Sequence, residues 1–378
     1  VRRAAGGWAA ILGAGCLADP AGPGAEDTDV PLSCEDPSAP CDLVPPPPDQ
    51  NPCGAGLFEA EGELVWPEQL SSLGCFSALS PLTPEPALLP YEVQVPLWSE
   101  GAEKRRWISL PPGGRIEADP NLPWSFPTGT LLLKSFALDL DETDAVPARL
   151  LEVRAMAQTI DGWRYATWRI DPSSGEGRRI GEQGEPEALV VRTADALQPV
   201  SWWYPSVVGC ETCHRRYAEE VLGPRTAQLD RVVRLDGGWV RQIDAWAASG
   251  WLSEPVAEHG ASLPRVDGAA PVAARARAWL DGQCAHCHLP GGFVSPDVHL
   301  DLRFDRTLAE TGLCEPPNHA SWGLPGELLV APGDVEGSQL VHRLVPGHAR
   351  SMPPGVERAD AEGLNLIAEW ISGLGACP

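Results

Sequence analysis

Apolar and polar residues alternate with the two-residue period of strands over much of 91–200. Residues 130–138 form a nearly continuous apolar run, the mark of a strand buried on both faces. Residues 149–158 and 163–170 flank Asp161-Gly162, a strong hairpin signal, and 187–192 adds a further short strand. A small antiparallel sheet or sandwich is predicted. From about residue 205 the pattern changes to helices and long loops. Within 235–252, Val240, Ile243, Ala247 and Trp251 fall on one face at helical spacing. A helix rich in alanine and arginine is predicted over 272–283. A closing helix over 360–374 carries an apolar stripe of Leu364, Ile367, Ala368 and Ile371, with Asp360 as N-cap and Gly373 and Gly375 as terminators.

The length of 378 residues allows two or three domains. A formal charge of −24 leaves no basic stripe for nucleic acid and disfavours adsorption to an anionic bilayer. Pro (40) and Gly (39) are both abundant, which points to irregular segments. The acidic, proline-rich stretch 17–53 has too few large apolar residues to offset its ordering entropy and reads as an extended tether. Ahead of it, Val1-Arg2-Arg3 and the small-residue apolar stretch 4–15 read as a secretory signal. Leu12-Gly13-Ala14-Gly15-Cys16 resembles a lipobox, so Cys16 is the expected lipid anchor and the expected location is the periplasm or the outer membrane.

Eleven cysteines sharpen this picture. Four lie in Cys210-Glu211-Thr212-Cys213-His214 and Cys284-Ala285-His286-Cys287-His288. Two thiols three residues apart can each form a thioether to a porphyrin vinyl group, and the next residue places an imidazole under the iron. The pairs are too far apart in sequence for a zinc ribbon, and a dithiol redox site has no use for the following histidine. Two covalent haems c are therefore expected, with Cys210, Cys213, Cys284 and Cys287 as attachment points and His214 and His288 as axial ligands. Setting Cys16 aside, six cysteines remain, an even number that suits disulfides in an exported chain. Proximity favours Cys34–Cys41 and Cys53–Cys75, with Cys314–Cys377 as a C-terminal staple.

The two motifs differ in their surroundings. The second follows a predicted helix and precedes a long loop carrying Ser351-Met352-Pro353-Pro354, so Met352 is its expected sixth ligand. The first has no such partner. Its candidates are His259, His299, Met156 or an open position. His286 is expected to face away at the surface, and His319, His342 and His348 to be structural or solvent-facing. Lys104, Arg105, Arg106 and Trp107 form a small basic-aromatic cluster that could dock a partner or cover a haem edge, with a structural role the plainer reading.

Several blocks resemble a bacterial family of exported dihaem c-type cytochromes, which occur alone or fused to or near PQQ-dependent sugar-dehydrogenase-like domains. They are Leu89-Pro90-Tyr91-Glu92-Val93, Pro96-Leu97-Trp98-Ser99-Glu100-Gly101-Ala102-Glu103-Lys104, Phe126-Pro127-Thr128-Gly129-Thr130, Thr226-Ala227-Gln228-Leu229, Asp301-Leu302-Arg303, Ala331-Pro332-Gly333-Asp334 and Met352-Pro353-Pro354, with the second haem motif. The resemblance covers about residues 70–378 and implies haem binding and electron transfer. The expected fold class is α+β, a β-rich domain over 54–200 followed by a mainly helical haem region. The latter divides into a first haem segment, 201–265, and a cytochrome c domain, 266–378. The expected function is electron transfer from a periplasmic dehydrogenase to a downstream acceptor, with other redox proteins as partners. The alternatives are a peroxidase-like enzyme with an open first haem and a docking module for a redox partner.

Overall fold

The computed structural model describes residues 53, 54, 56, 57 and 64–378, apart from 215–220, 236–237, 257–261, 295–296, 319–320 and 325. The lipobox at Cys16, the tether up to residue 52, the Cys34–Cys41 pair, His259 and His319 lie outside the described residues.

The strands are β1 (Phe76–Leu79), β2 (Leu82–Pro84), β3 (Leu89–Pro90), β4 (Glu103–Ser109), β5 (Leu131–Leu138), β6 (Arg149–Thr159), β7 (Gly162–Ile170), β8 (Gly177–Arg179), β9 (Glu185–Arg192) and β10 (Leu197–Tyr204). Helices α1 (Val207–Cys213) and α2 (Thr226–Leu229) follow, then strands β11 (Val232–Leu235) and β12 (Gly238–Arg241). The chain ends with α3 (Gln242–Ala248), α4 (Val272–Leu280), α5 (Gln339–Leu344) and α6 (Ala361–Gly373). Strands β3 to β8 form one six-stranded antiparallel meander in sequence order, and β1–β2, β9–β10 and β11–β12 are separate two-stranded pairs.

The expectation of a mainly helical second half is corrected. Of the described residues 27% are strand and 18% helical, and the sheets are antiparallel. Past residue 205 the helices are short and only α4 and α6 exceed seven residues. Prolines and glycines recur through 289–337 and deny this stretch a helical hydrogen-bond ladder. The predicted helix in 235–252 is in fact shared between β12, the seven-residue α3 and the turn after it, so Val240 is a strand residue. The four predicted strands are present, as are the helices before the second haem motif and at the C-terminus. Asp360 does cap α6, its Oδ1 accepting from Gly363 N–H at 2.9 Å.

The meander buries both faces, for different purposes. On one face Trp107, Leu133, Val153, Ala155 and Trp168 meet Leu70, Leu73, Phe76 and Leu82 in a dry core. The Cys53–Cys75 disulfide closes that side. On the other face Ile108, Leu132, Trp163 and Tyr165 pack against Ile243 and Trp246 of α3 and against Trp251. The two-residue period explains the split, because neighbours along a strand point to opposite faces. A third core joins α4 and α6 through Trp279, Leu280, Ile367, Trp370 and Ile371, and the predicted Cys314–Cys377 disulfide closes it. Gly363 permits that contact, since a Cβ there would lie 2.2 Å from Trp279 Nε1. Among the described residues no helix is long and apolar enough to cross a membrane.

The extended segment 92–98 links the sheet to the C-terminal core. Three buried glutamines grip its backbone as a neighbouring strand would. Gln242 accepts from Glu92 N–H and donates to Glu92 C=O, both at 3.0 Å. Gln228 accepts from Val95 N–H (2.9 Å), and Gln283 accepts from Trp98 N–H (2.7 Å) while donating to Pro96 C=O (2.8 Å). Buried peptide groups need such partners, and no strand supplies them here.

Candidate functional site

Both Cys-x-x-Cys-His motifs take the same local form. The first occupies the last turns of α1, which Ser206 caps by accepting from Gly209 N–H at 3.3 Å. The second begins in a π-helical turn over Asp281–Ala285 that continues α4. In each, the histidine N–H donates to the carbonyl of the first cysteine, at 3.0 Å for His214 and 2.9 Å for His288. One helical turn thus gathers two thiols and an imidazole.

The motifs meet across a cavity of about 240 Å³ that opens to solvent. Its lining includes Cys210, Cys213 and His214 from the first motif and Ala285 and His286 from the second. Cys213 accepts hydrogen bonds from the Cys287 thiol and from His286, which hold its own thiol well below the ordinary cysteine range. Burial pushes the Cys284 thiol up to about 12. His286 therefore does not point to open solvent as the sequence suggested. It lines the cavity, because the turn of the second motif lies against α1.

The far wall is the meander. Register sets Leu132, Met156 and Tyr165 side by side on β5, β6 and β7, all facing the cavity. The Tyr165 hydroxyl donates to the backbone carbonyl of His214 at 2.8 Å, and the two rings lie 5.7 Å apart. Met156 is thus on the wall beside the first motif. His299 is exposed and lies outside the cavity lining.

The next row along the strands is cationic. Arg106, Lys134 and Arg154 stand directly opposite one another on β4, β5 and β6. Facing residues on neighbouring strands are about 5 Å apart at Cβ, and like charges placed opposite one another destabilise the pairing. Burial, then the charges of Arg106, Lys104 and Arg154, hold the Lys134 ammonium well below its ordinary range. The same alternation divides the basic-aromatic cluster. Lys104 and Arg106 share the face of this row, whereas Trp107 joins the opposite core with Arg105 5.3 Å over its ring. The sequence reading missed Lys134, Arg154 and Tyr165. A lysine at the centre of the apolar run 130–138 was the available signal.

His288 and Met352 share a neighbour. The Met352 N–H donates to the Arg343 carbonyl at 2.6 Å. Burial, then the charges of His286 and Arg343, lower His288 to about 4, so the imidazole is neutral, the form that binds iron. Its Nδ1 is buried without a partner. His342 Nε2 lies 2.8 Å from Glu336 C=O, and both His342 and His348 pack on Trp322, which accords with structural roles.

The chain matches no protein-family model, no curated protein and no solved structure. Among the described residues no group of three or more His, Cys, Asp or Glu side chains is disposed to hold a bare metal ion. A haem iron asks less of the protein, one or two axial ligands. The donor set fits a covalent haem at each motif. Each offers two cysteines outside any disulfide next to a histidine, in one case a neutral imidazole with an unsatisfied nitrogen.

Proposed function

We propose that this chain is an exported dihaem c-type cytochrome that carries single electrons between other redox proteins. The observation that carries the reading is the repeated turn geometry, which gathers two free thiols and a histidine at both 210–214 and 284–288. Cys210 and Cys213 would hold one haem and Cys284 and Cys287 the other, with His214 and His288 as proximal ligands. When bound, each haem supplies a reversible one-electron iron couple.

Met352 is the sixth ligand proposed for the second haem, supported by its place in the loop between α5 and α6, where its N–H is held by the Arg343 carbonyl. Met156 is the one proposed for the first. Its support is its place on the cavity wall, next to the tyrosine that holds the His214 carbonyl. Thioether ligation favours the reduced state, which suits accepting electrons from a dehydrogenase. Export and a lipid anchor at Cys16 belong to the same proposal, as do the donor dehydrogenase and the acceptor.

The test is haem count and spin state of the purified mature protein. Two covalent haems, both low-spin by EPR, are expected. Met352→Ala and Met156→Ala should each convert one centre to high-spin while both haems remain attached. A chain that matures without covalent haem overturns the proposal. A high-spin centre in the unaltered protein that turns over hydrogen peroxide would replace it with a peroxidase-like enzyme.

A further inference from the structure

The cavity wall carries more positive charge than the chain's own acids offset. Arg106, Lys134 and Arg154 form one row across three strands, and all three line the cavity. Glu152 is bound to Arg154 at 2.5 Å, and among the described residues neither Arg106 nor Lys134 has a carboxylate in ion-pair range. The other arginines of the cavity are matched, Arg225 with Asp281 and Arg303 with Asp301. The protein as a whole has a formal charge of −24, so concentrating three cations on one enclosed wall runs against its composition. Such a row is stable when an anion with several oxygens lies against it.

We propose that Arg106, Lys134 and Arg154 form the seat for the propionate carboxylates of the haem held by Cys210, Cys213 and His214. The proposal rests on the haem reading above. A dissolved carboxylate could satisfy the same charges, but three observations favour the haem's own. The row lies two residues, about 7 Å, along the strands from the Met156–Tyr165 row that faces the first motif. Lys134 and Arg154 also pack over the Phe136 ring, at 4.8 and 4.3 Å, so their charges flank an apolar surface suited to a macrocycle edge. Finally, the cations stand on three of the four inner strands of a six-stranded sheet, which positions them rigidly.

Cations beside the haem disfavour the extra positive charge of ferric iron and so raise the potential of that centre. The seat is therefore also a tuning device, acting most strongly on the haem whose propionates it holds.

The test uses the full-length holoprotein with Lys134→Met, Arg106→Met and Lys134→Arg. Haem content is read from the pyridine haemochromogen spectrum and intact mass, and the two potentials from a redox titration. Comparison with Met352→Ala assigns the wave of the second haem. Expected is a fall in the first potential that exceeds any change in the second, in both Met variants, with both haems retained, and a return towards the wild-type value in Lys134→Arg. Selective loss of the first haem in a Met variant of unchanged circular dichroism, reversed in Lys134→Arg, supports the seat equally. Should Lys134→Met fail to fold, Arg106→Met carries the comparison. Two bound haems with unmoved potentials in the Met variants would overturn the seat while leaving the haem reading intact. So would a first-haem spectrum that shifts on adding succinate to the wild type but not to the Met variants, which marks a site for dissolved anions. Wild-type protein without haem overturns both readings together.

Discussion

Gln283, the residue just before the second haem motif, offers a direct measure of how the two halves of the chain are held together. Its amide accepts from Trp98 N–H at 2.7 Å and donates to Pro96 C=O at 2.8 Å, and the side chain is buried. Gln283→Met keeps the length and volume of the side chain but removes both bonds. Each bond contributes about 1 kcal/mol net, and each peptide group left without a partner in a dry site costs about 1–3 kcal/mol. Some relaxation towards water is available at Trp98, which is only partly buried. The expected loss is therefore roughly 3 kcal/mol of unfolding free energy, read from urea unfolding of the holoprotein by tryptophan fluorescence. The comparison variant is Ser372→Ala, which removes an exposed 2.8 Å bond to Ala368 C=O and should change stability by less than about 0.5 kcal/mol. A Gln283→Met loss below about 1 kcal/mol, or equal to that of Ser372→Ala, would refute the idea that side-chain amides stand in for a missing strand along 92–98.

Three further outcomes are expected. Tyr165→Phe removes the hydroxyl that holds the His214 carbonyl and should cost about 1 kcal/mol in unfolding free energy, with a changed EPR signal at the first haem and none at the second. Replacing both Cys314 and Cys377 by alanine frees a loop of 63 residues and should cost about 4 kcal/mol on the chain-entropy estimate, measured as a drop in the denaturation midpoint. Lys104 is held down to about 7, first by burial and then by Arg106 and Arg154, against an ordinary 10.5. Between those two pH values the unfolded chain binds a proton that the folded chain does not. Stability contributed at this site therefore rises with pH across the window, by roughly 2 kcal/mol after allowing for partial exposure. Lys104→Met should flatten that part of the pH–stability curve, and an unchanged slope would count against it.

Features that depend on a few consecutive residues were legible in the sequence. The Cys-x-x-Cys-His spacing places its donors within one helical turn whatever the rest of the chain does, and both motifs adopt that turn. The strand period over 130–138, 149–158 and 163–170 was equally local, as was Asp360 as a cap. Where helical spacing was read on its own, the reading failed. The spacing from Val240 to Trp251 predicted one helix, yet Val240 lies in β12, which pairs antiparallel with β11. The expected helical second half failed for a related reason. A helix needs an unbroken run of backbone donors, and the prolines and glycines of 289–337 do not provide one.

Everything that joins distant residues was decided by tertiary structure. Arg106, Lys134 and Arg154 are 20 or more positions apart in sequence, and only strand register brings them into one row. The same register places Met156 beside Tyr165, whose hydroxyl reaches the His214 carbonyl. The three glutamines that grip 92–98 have no sequence signature, because an amide serves a peptide group only where packing has excluded both water and a strand partner. The shape of the two Cys-x-x-Cys-His turns was thus written locally. Their meeting at one cavity, with a cationic row on its wall, was settled by tertiary packing and strand register.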